Sequence, residues 1–222
     1  MEPRELLANA RLMYLFTPHG AAEVDDLAVL TAVLPWIDVV QVRVKQAGAE
    51  TTGARATLDW TRRVIERVRD CGVEGVLVLV NDRVDVARVL ADEGCAGVHL
   101  GQSDTPPGVA REVLGPGALI GLSTHDARQV VRANEEPVDY LGFGPIHPTA
   151  TKGYERGLGS ERAWMAREAS ALPVFAIGGI DEENVQELDR VGRAAVSTAL
   201  ARAPDPARCA RAIRSALESA AD

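Results

Sequence analysis

Lysine is scarce in this chain, and both lysines stand among residues able to bind anions. The 222-residue sequence has 24 Lys and Arg against 32 Asp and Glu, a formal charge of −8, and only Lys45 and Lys152 are lysines. An acidic protein that binds an anion must concentrate positive charge at one place. In the segment QVRVK, strand alternation places Gln41, Arg43 and Lys45 on one side. This pattern suits an anionic ligand, although a solvated strand end would share it.

Two aspartates at the ends of apolar runs could bind a metal ion. Asp82 follows the run VLVLVN, and Asp104 ends the segment HLGQSD. Either could instead begin a helix, because Asn and Asp are common N-cap residues. Carboxylates at neighbouring strand ends can share one Mg²⁺, which takes oxygen ligands and is often completed by water and phosphate. The pair therefore predicts a magnesium site, with helix capping as the alternative.

Hydroxyl groups recur in two further segments. Ser123, in the segment GLSTH, offers a hydroxyl to a phosphate oxygen, with helix capping again the alternative. The glycine-containing stretch 142–159 carries Thr149, Thr151 and Lys152. A long polar loop of this kind could close over a bound substrate.

The last two apolar runs end in turns that are suited to phosphate. Gly178-Gly179 follows one run and Ser197-Thr198 the other. In α/β barrels, exposed backbone N–H groups after strands seven and eight commonly form a phosphate site, and glycine allows a close approach. No GxSxG motif occurs, so a serine relay for acyl transfer is not indicated. We expect His99 to be partly buried, and the other histidines fit structural roles as well as catalytic ones.

Eight short apolar runs, each followed by a segment with helix periodicity, must position these residues. The pattern predicts one domain over residues 1–222, a single α/β (β/α)₈ TIM barrel. An open doubly wound sheet is the alternative, weakened by the lack of GxGxxG after the first run. Among the helical stripes are Val109-Val113-Leu114 and Ala210-Ile213-Leu217. The predicted strands are Leu12–Phe16, Val39–Val44, Val76–Val80, Gly97–Leu100, Leu119–Leu122, Tyr140–Phe143, Val174–Ile177 and Ala194–Ser197.

Composition narrows the class of partner. The chain has no Lys/Arg block, so we expect no nucleic-acid partner. No apolar run reaches the roughly 18 residues of a membrane span, and the N-terminus lacks a signal-peptide layout. The three cysteines are widely separated and form no CxxC pair. We therefore expect a cytoplasmic protein that acts on small molecules, for which a homo-oligomer remains possible.

Together these segments resemble the thiamine-phosphate synthase family over nearly the whole chain. The matching stretches read VQVRVK, VNDRVDVA, GVHLGQSD, IGLSTH, DYLGFGPIHPTATK and VFAIGGI. Short pieces such as IGGI occur in other phosphate-binding barrels. The combination of NDRVD, GVHLGQxD and GPIxPTxTK in this order is highly specific.

The resemblance implies a Mg²⁺-dependent transferase. Its reaction joins 4-amino-2-methyl-5-hydroxymethylpyrimidine diphosphate to a thiazole phosphate, giving thiamine phosphate and pyrophosphate. It implies that Gln41 contacts the pyrimidine and that Asp82 and Asp104 bind Mg²⁺. The diphosphate would be held by Arg43, Lys45, Asn81, Ser123 and Lys152. The thiazole and its phosphate would be held by Thr149, Thr151, Gly179, Ser197 and Thr198.

Two of the chain's departures from the family pattern bear on the site. Val44 stands where the family usually has an acidic or polar residue, and the last strand, GRAAVST, is shorter than usual, which puts its phosphate contact in question. Two rivals remain. A related thiazole tautomerase would use His125 as acid and base, and a non-catalytic barrel would only bind thiamine phosphate.

Overall fold

Eight parallel strands hydrogen-bond in chain order and close into a barrel. In this computed structural model, which describes residues 2–18, 25–44, 53–148 and 157–219, each strand pairs with the next. Strand β8 pairs with β1 and closes the ring. The strands are β1 (Leu12–Phe16), β2 (Val39–Val42), β3 (Leu77–Asn81), β4 (Cys95–Leu100), β5 (Leu119–Thr124), β6 (Tyr140–Phe143), β7 (Val174–Ile177) and β8 (Ala194–Val196).

Helices connect successive strands on the outside of the ring. The connection between β7 and β8 contains a 3₁₀ turn, Val185–Leu188, where the other crossovers carry an α-helix. None of the helices in the described ranges is both long and apolar enough to cross a bilayer. The helices are α1 (Pro3–Asn9), α2 (Asp26–Val33), α3 (Ala54–Asp70), α4 (Val84–Val89), α5 (Pro107–Leu114), α6 (Ala127–Ala133), α7 (Ser160–Ala169), α8 (Thr198–Ala201) and α9 (Pro206–Ser219).

The strands bury apolar side chains on both faces. Met13, Leu79 and Phe175 point into the barrel and belong to an inner cluster, which Leu7 of α1 joins at the N-terminal end of the strands. The alternate residues belong to an outer cluster between the strands and the helices. Burial on both faces explains why these strands are almost continuously apolar. It also leaves the opposite, C-terminal end of the barrel for polar side chains.

At the N-terminal end of the barrel, two aspartates connect the starts of neighbouring strands. Asp38, just before β2, accepts hydrogen bonds from the backbone N–H groups of Arg11 and Leu12, at 2.7 and 2.9 Å, and from the Arg214 guanidinium. Asp139, just before β6, accepts in the same way from the Ile120 N–H, and from Arg4 and Arg111. Each carboxylate thereby satisfies backbone donors at a strand start.

The predicted barrel is confirmed, but the predicted buried face of α5 is wrong. Strand bounds agree for β1, β6 and β7 and differ by one or two residues elsewhere. The stripe at Ala210, Ile213 and Leu217 is buried as predicted. Val109 and Val113, predicted to face the core, are 47% and 45% exposed, and α5 buries Ala110 instead. A small residue lets this helix lie close to the strands, which leaves the valines outside.

We predict that Asp38→Ala lowers the free energy of unfolding by about 2–3 kcal/mol, because strand-start N–H groups and the Arg214 guanidinium lose a charged acceptor. Chemical denaturation measures the change. Asp92→Ala is the control: Asp92 is exposed and should cost less than about 0.5 kcal/mol. Equal effects of the two substitutions would contradict a structural role for Asp38.

Candidate active site

A cavity of about 410 Å³ opens among the C-terminal ends of the strands. Its wall includes seven of the residues singled out from the sequence: Gln41, Arg43, Asn81, Ser123, Gly179, Ser197 and Thr198. Those residues come from β2, β3, β5 and the turns after β7 and β8. The structure therefore brings these seven predicted residues to one site, whereas Asp82 and Asp104 are not part of its wall.

The alternation predicted for the QVRVK segment is confirmed over its described part. Gln41 and Arg43 both line the cavity, while Val40 and Val42 lie in the outer cluster. Gln41 is only 2% exposed, and within the described residues its side-chain Nε2 has no hydrogen-bond partner. An unpaired buried amide is costly, so this donor indicates a ligand acceptor in the cavity.

Arg43 supplies a partly desolvated positive charge to the cavity wall. Burial lowers the pKa of its guanidinium, and the nearby charge of Asp82 acts in the opposite direction. Even when partly buried, an arginine guanidinium remains protonated. A half-buried cation with incomplete compensation is a natural partner for an anionic ligand.

Asp82 sits in a strained turn between β3 and α4. Its φ is 64°, and the Arg83 N–H donates to the Asn81 carbonyl at 2.8 Å across it, which is the hydrogen bond of a γ-turn. Helix α4 has Arg83 as its N-cap residue, so Asp82 does not cap that helix. Strain of this kind at a strand end is common at functional sites.

Asp104 is held by its own loop after β4. One carboxylate oxygen accepts the Gly101 N–H at 2.7 Å, and the Asp104 N–H donates back to the Gly101 carbonyl at 3.3 Å. Helix α5 has Pro106 at its N-cap, so capping does not explain Asp104 either. Asp82 and Asp104 lie outside the cavity wall itself but follow two adjacent strands.

The two aspartates fit Mg²⁺ only as part of a ligand complex. Among the described residues, no group of three His, Cys, Asp or Glu side chains could hold a metal ion. Mg²⁺ is commonly bound through one or two carboxylates, with substrate phosphates and water completing its coordination. Asp82 and Asp104 match this kind of coordination, in which the substrate completes the metal site, rather than a site whose ligands all come from the protein.

Ser123 belongs to a hydrogen-bonded chain that the sequence did not indicate. It lies within β5, and Asp126 caps helix α6, so Ser123 is not a helix cap. Its Oγ is 2.9 Å from His99 Nε2, and His99 Nδ1 is 2.9 Å from the Tyr140 hydroxyl. The chain crosses three adjacent strands, from the barrel interior to the cavity wall.

His125 also lines the cavity, and its ring is fixed by the neighbouring loop. Its Nδ1 is 2.6 Å from the Gly144 carbonyl oxygen, which can only accept, so Nδ1 carries the proton. The His125 N–H donates to the Gln129 side chain at 2.8 Å. The favoured prediction gave His99 and His125 no role, and only the tautomerase alternative used His125. Their positions just before or after the ends of β4 and β5 were the available signal.

The Gly178-Gly179 turn requires glycine because of its neighbours as well as its φ angles. These angles are 100° and 64°. A Cβ at Gly179 would lie 2.8 Å from His147 Cβ and 2.8 Å from the Pro148 carbonyl oxygen. The Asn184 side chain donates to the Gly179 carbonyl at 2.8 Å. The turn is thus clamped between two segments, with its backbone at the cavity wall.

The turn after β8 reaches the cavity wall through Ser197 and Thr198. The Ser197 hydroxyl donates to the Leu15 carbonyl at 3.0 Å. That bond ties the end of β8 to β1, so any phosphate contact of Ser197 falls to its backbone. Thr198 begins α8 and is exposed at the cavity wall.

Several predicted residues lie outside the described ranges: Lys45, Thr149, Thr151 and Lys152. The two flanks of the stretch 149–156 are described and are joined to each other. The Leu158 N–H donates to the Pro145 carbonyl at 2.8 Å, and the Gly159 N–H donates to the Ile146 carbonyl at 2.9 Å. The described flanks of the stretch therefore lie side by side, with Pro148 in the cavity wall.

Comparison with known proteins identifies the family to which this chain belongs. The family model described as thiamine monophosphate synthase matches residues 13–201. The chain belongs to that family. The match spans β1 from its second residue, the other seven strands and the turns after β7 and β8, so it includes the described cavity wall.

Relatives within the thiamine monophosphate synthase family cover most of the chain. It is 40% identical over 98% of its length to a thiamine-phosphate synthase of Synechococcus sp. (strain CC9605), and spans 58% of that relative. It is 42% identical over 96% of its length to a thiamine-phosphate synthase of Mycobacterium sp. (strain KMS), and spans 95% of that one. A solved structure of thiamine phosphate pyrophosphorylase from Pyrococcus furiosus superposes with a TM-score of 0.79, at 26% identity and with 99% of each chain covered.

We predict that Gly179→Ala destabilises the protein by about 2 kcal/mol or more, because a Cβ meets the 147–148 backbone at a left-handed φ. It should also weaken binding of inorganic phosphate, measured by calorimetry. The control is Gly108→Ala, where a Cβ meets nothing within 4 Å in the first turn of α5. That change should be neutral or stabilising by up to about 1 kcal/mol. Wild-type stability and phosphate binding in Gly179→Ala would contradict the close packing.

Proposed function

We propose that this protein is a thiamine-phosphate synthase. It would join the pyrimidine diphosphate to the thiazole phosphate and release pyrophosphate, which is the reaction that the family resemblance implies. Two relatives are named thiamine-phosphate synthases. The observation that carries the proposal is the buried Gln41 Nε2, a donor with no partner among the described residues, in the same wall as Arg43 and Ser123. A polar ring and an attached anion would satisfy these three groups together.

The pyrimidine would lie against Gln41 at the floor of the cavity. A glutamine amide offers one donor and one acceptor, which matches an aminopyrimidine with a ring nitrogen beside an exocyclic amine. The diphosphate would extend toward Arg43, Asn81 and Ser123, which lie along the same wall. The family pattern adds Lys45 and Lys152 to this set, both outside the described residues.

Asp82 and Asp104 would hold Mg²⁺ against the diphosphate. When bound, the ion would supply Lewis-acid stabilisation of the charge that develops on the leaving group. Asp104 is oriented for this by the Gly101 N–H, and Asp82 by its strained turn. The chain's own contribution is a rim of preorganised charge, where loss of one contact typically costs about 3–4 kcal/mol of transition-state stabilisation.

The thiazole phosphate would be anchored by the turns after β7 and β8. Gly179, Ser197 and Thr198 line the opposite part of the wall, and the family pattern adds Thr149 and Thr151. Such an anchor converts an encounter into a fixed geometry. No general base is needed, because the attacking thiazole nitrogen carries no proton. Departure of diphosphate can therefore precede bond formation, since the amino-substituted ring stabilises the resulting cation.

The direct test mixes both substrates with Mg²⁺ and measures pyrophosphate release. We expect stoichiometric pyrophosphate and thiamine phosphate, and no pyrophosphate when either substrate is omitted. Isomerisation of the thiazole phosphate without pyrophosphate release would favour the tautomerase, which would use His125. Tight binding of thiamine phosphate without turnover would favour a non-catalytic barrel.

We predict that Asp82→Asn slows turnover at least about tenfold, because one charged oxygen ligand of the metal becomes neutral. The Mg²⁺ concentration for half-maximal rate should rise as well. Lys152→Ala should reduce turnover by a similar factor. The matched control is Asp92→Asn. Asp82 precedes helix α4 and Asp92 follows it; the Asp92 carboxylate is exposed, so this change should leave the rate unchanged. Wild-type turnover in both Asp82→Asn and Lys152→Ala, with a native circular dichroism spectrum, would refute the mechanism.

A further inference from the structure

The roles assigned above include Ser123 but not Tyr140 and His99, the two buried residues that are hydrogen-bonded to it in series. Tyr140 is 0% exposed and His99 is 6% exposed. Room for their rings comes from strand glycines on the same inner face. A Cβ at Gly121 would lie 2.1 Å from Tyr140 Cζ and 2.5 Å from His99 Nδ1, and one at Gly142 would lie 3.2 Å from His99 Cε1. Two strands therefore give up side chains at the places where this polar pair lies.

The Tyr140 hydroxyl determines which atom donates in each of these hydrogen bonds. Burial raises the pKa of the Tyr140 phenol, and the charge of Asp139 raises it further, so the hydroxyl keeps its proton. A buried O–H needs an acceptor, and within the described residues its hydrogen-bond partner is His99 Nδ1. Donation to Nδ1 requires that nitrogen to be bare. The proton of the neutral ring is then on Nε2.

The protonation of His99 in turn determines the donor in the second hydrogen bond, at the cavity. His99 Nε2–H donates to Ser123 Oγ, which makes no other hydrogen bond within the described residues. Because Oγ is the acceptor in that bond, its own proton is left to point at a ligand. The reverse direction would leave the fully buried Tyr140 O–H without an acceptor, which proteins avoid.

We propose that His99 and Tyr140 are positioning residues that fix the Ser123 hydroxyl as a donor into the cavity, where it selects an anionic oxygen of the diphosphate. This inference rests on the function proposed above, because it takes the diphosphate as the ligand. A serine on its own can donate or accept, whereas this one is committed to donating. Chains of aligned hydrogen bonds also polarise one another, which strengthens the last donor.

A double-mutant cycle tests whether the chain acts through Ser123. Wild type, Tyr140→Phe, Ser123→Ala and the double variant are titrated with inorganic pyrophosphate and Mg²⁺ by calorimetry. We expect Tyr140→Phe to weaken binding about tenfold, the scale of one hydrogen bond to a charged group. In the Ser123→Ala background the same change should have no further effect. Independent, additive losses would overturn the proposal.

A matched control is Tyr14→Phe, which also removes a buried tyrosine hydroxyl. Tyr14 is 2% exposed and belongs to the outer cluster, away from the cavity wall. Pyrophosphate affinity should stay within about twofold of wild type, since no hydrogen bond to the ligand depends on it. A loss equal to that of Tyr140→Phe would mean that the effect is general destabilisation, and would overturn the proposal.

The tautomer of His99 gives a readout that needs no activity. In ¹⁵N-histidine-labelled protein, the His99 signals, assigned by their absence from His99→Gln, should show the neutral ring protonated at Nε2. In Tyr140→Phe this preference should weaken or reverse. A wild-type ring protonated at Nδ1, or at both nitrogens, would overturn the proposal. Failure to release pyrophosphate from the two substrates would instead refute the proposed function and leave the tautomer result standing.

Discussion

Closure of the parallel sheet between β8 and β1 is the constraint on which the site depends. Because all eight strands run the same way, the ladder that pairs Leu12 with Ala194 and Tyr14 with Val196 brings eight strand ends to one rim. Residues as distant in sequence as Leu15 and Ser197 then meet, through a hydrogen bond of 3.0 Å. An open sheet would leave the β1 and β8 ends far apart, and the cavity would lose one wall. The site is therefore a property of the closed ring rather than of any single motif.

The polar rings of His99 and Tyr140 enter the barrel interior where two strands carry glycine instead of a larger side chain. Below the cavity the interior is filled by residues such as Met13, Leu79 and Phe175. At the next level Gly121 and Gly142 replace such residues, and the rings of His99 and Tyr140 occupy their space. A buried polar pair is tolerable because each ring nitrogen and the hydroxyl has a partner. The packing of the core and the chemistry of the wall are thus one arrangement.

The barrel and part of the cavity wall could be predicted from the sequence for identifiable reasons. Parallel strands buried on both faces are continuous apolar runs, and period-two alternation alone turns Gln41 and Arg43 to one side. The exposed valines of α5 could not be anticipated, because the choice of Ala110 as the contact depends on how closely the helix approaches the strands. The link from His99 to Ser123 was missed because the register between β4 and β5 decides which side chains meet. That register follows from barrel shear, which no local pattern encodes.

The charges of the residues at the C-terminal ends of the strands favour a ligand that carries a divalent cation. The protein is acidic overall, and Asp82 lies close enough to Arg43 to influence its pKa. A diphosphate that approached Arg43 directly would also approach that carboxylate, and like charges in a partly desolvated cavity repel strongly. Arg43 and the Ser123 donor alone would leave much of the ligand's charge unbalanced beside Asp82 and Asp104. If the proposed function holds, a cation shared between ligand and aspartates would turn that repulsion into attraction, and the carboxylates that oppose a bare diphosphate would favour its magnesium complex.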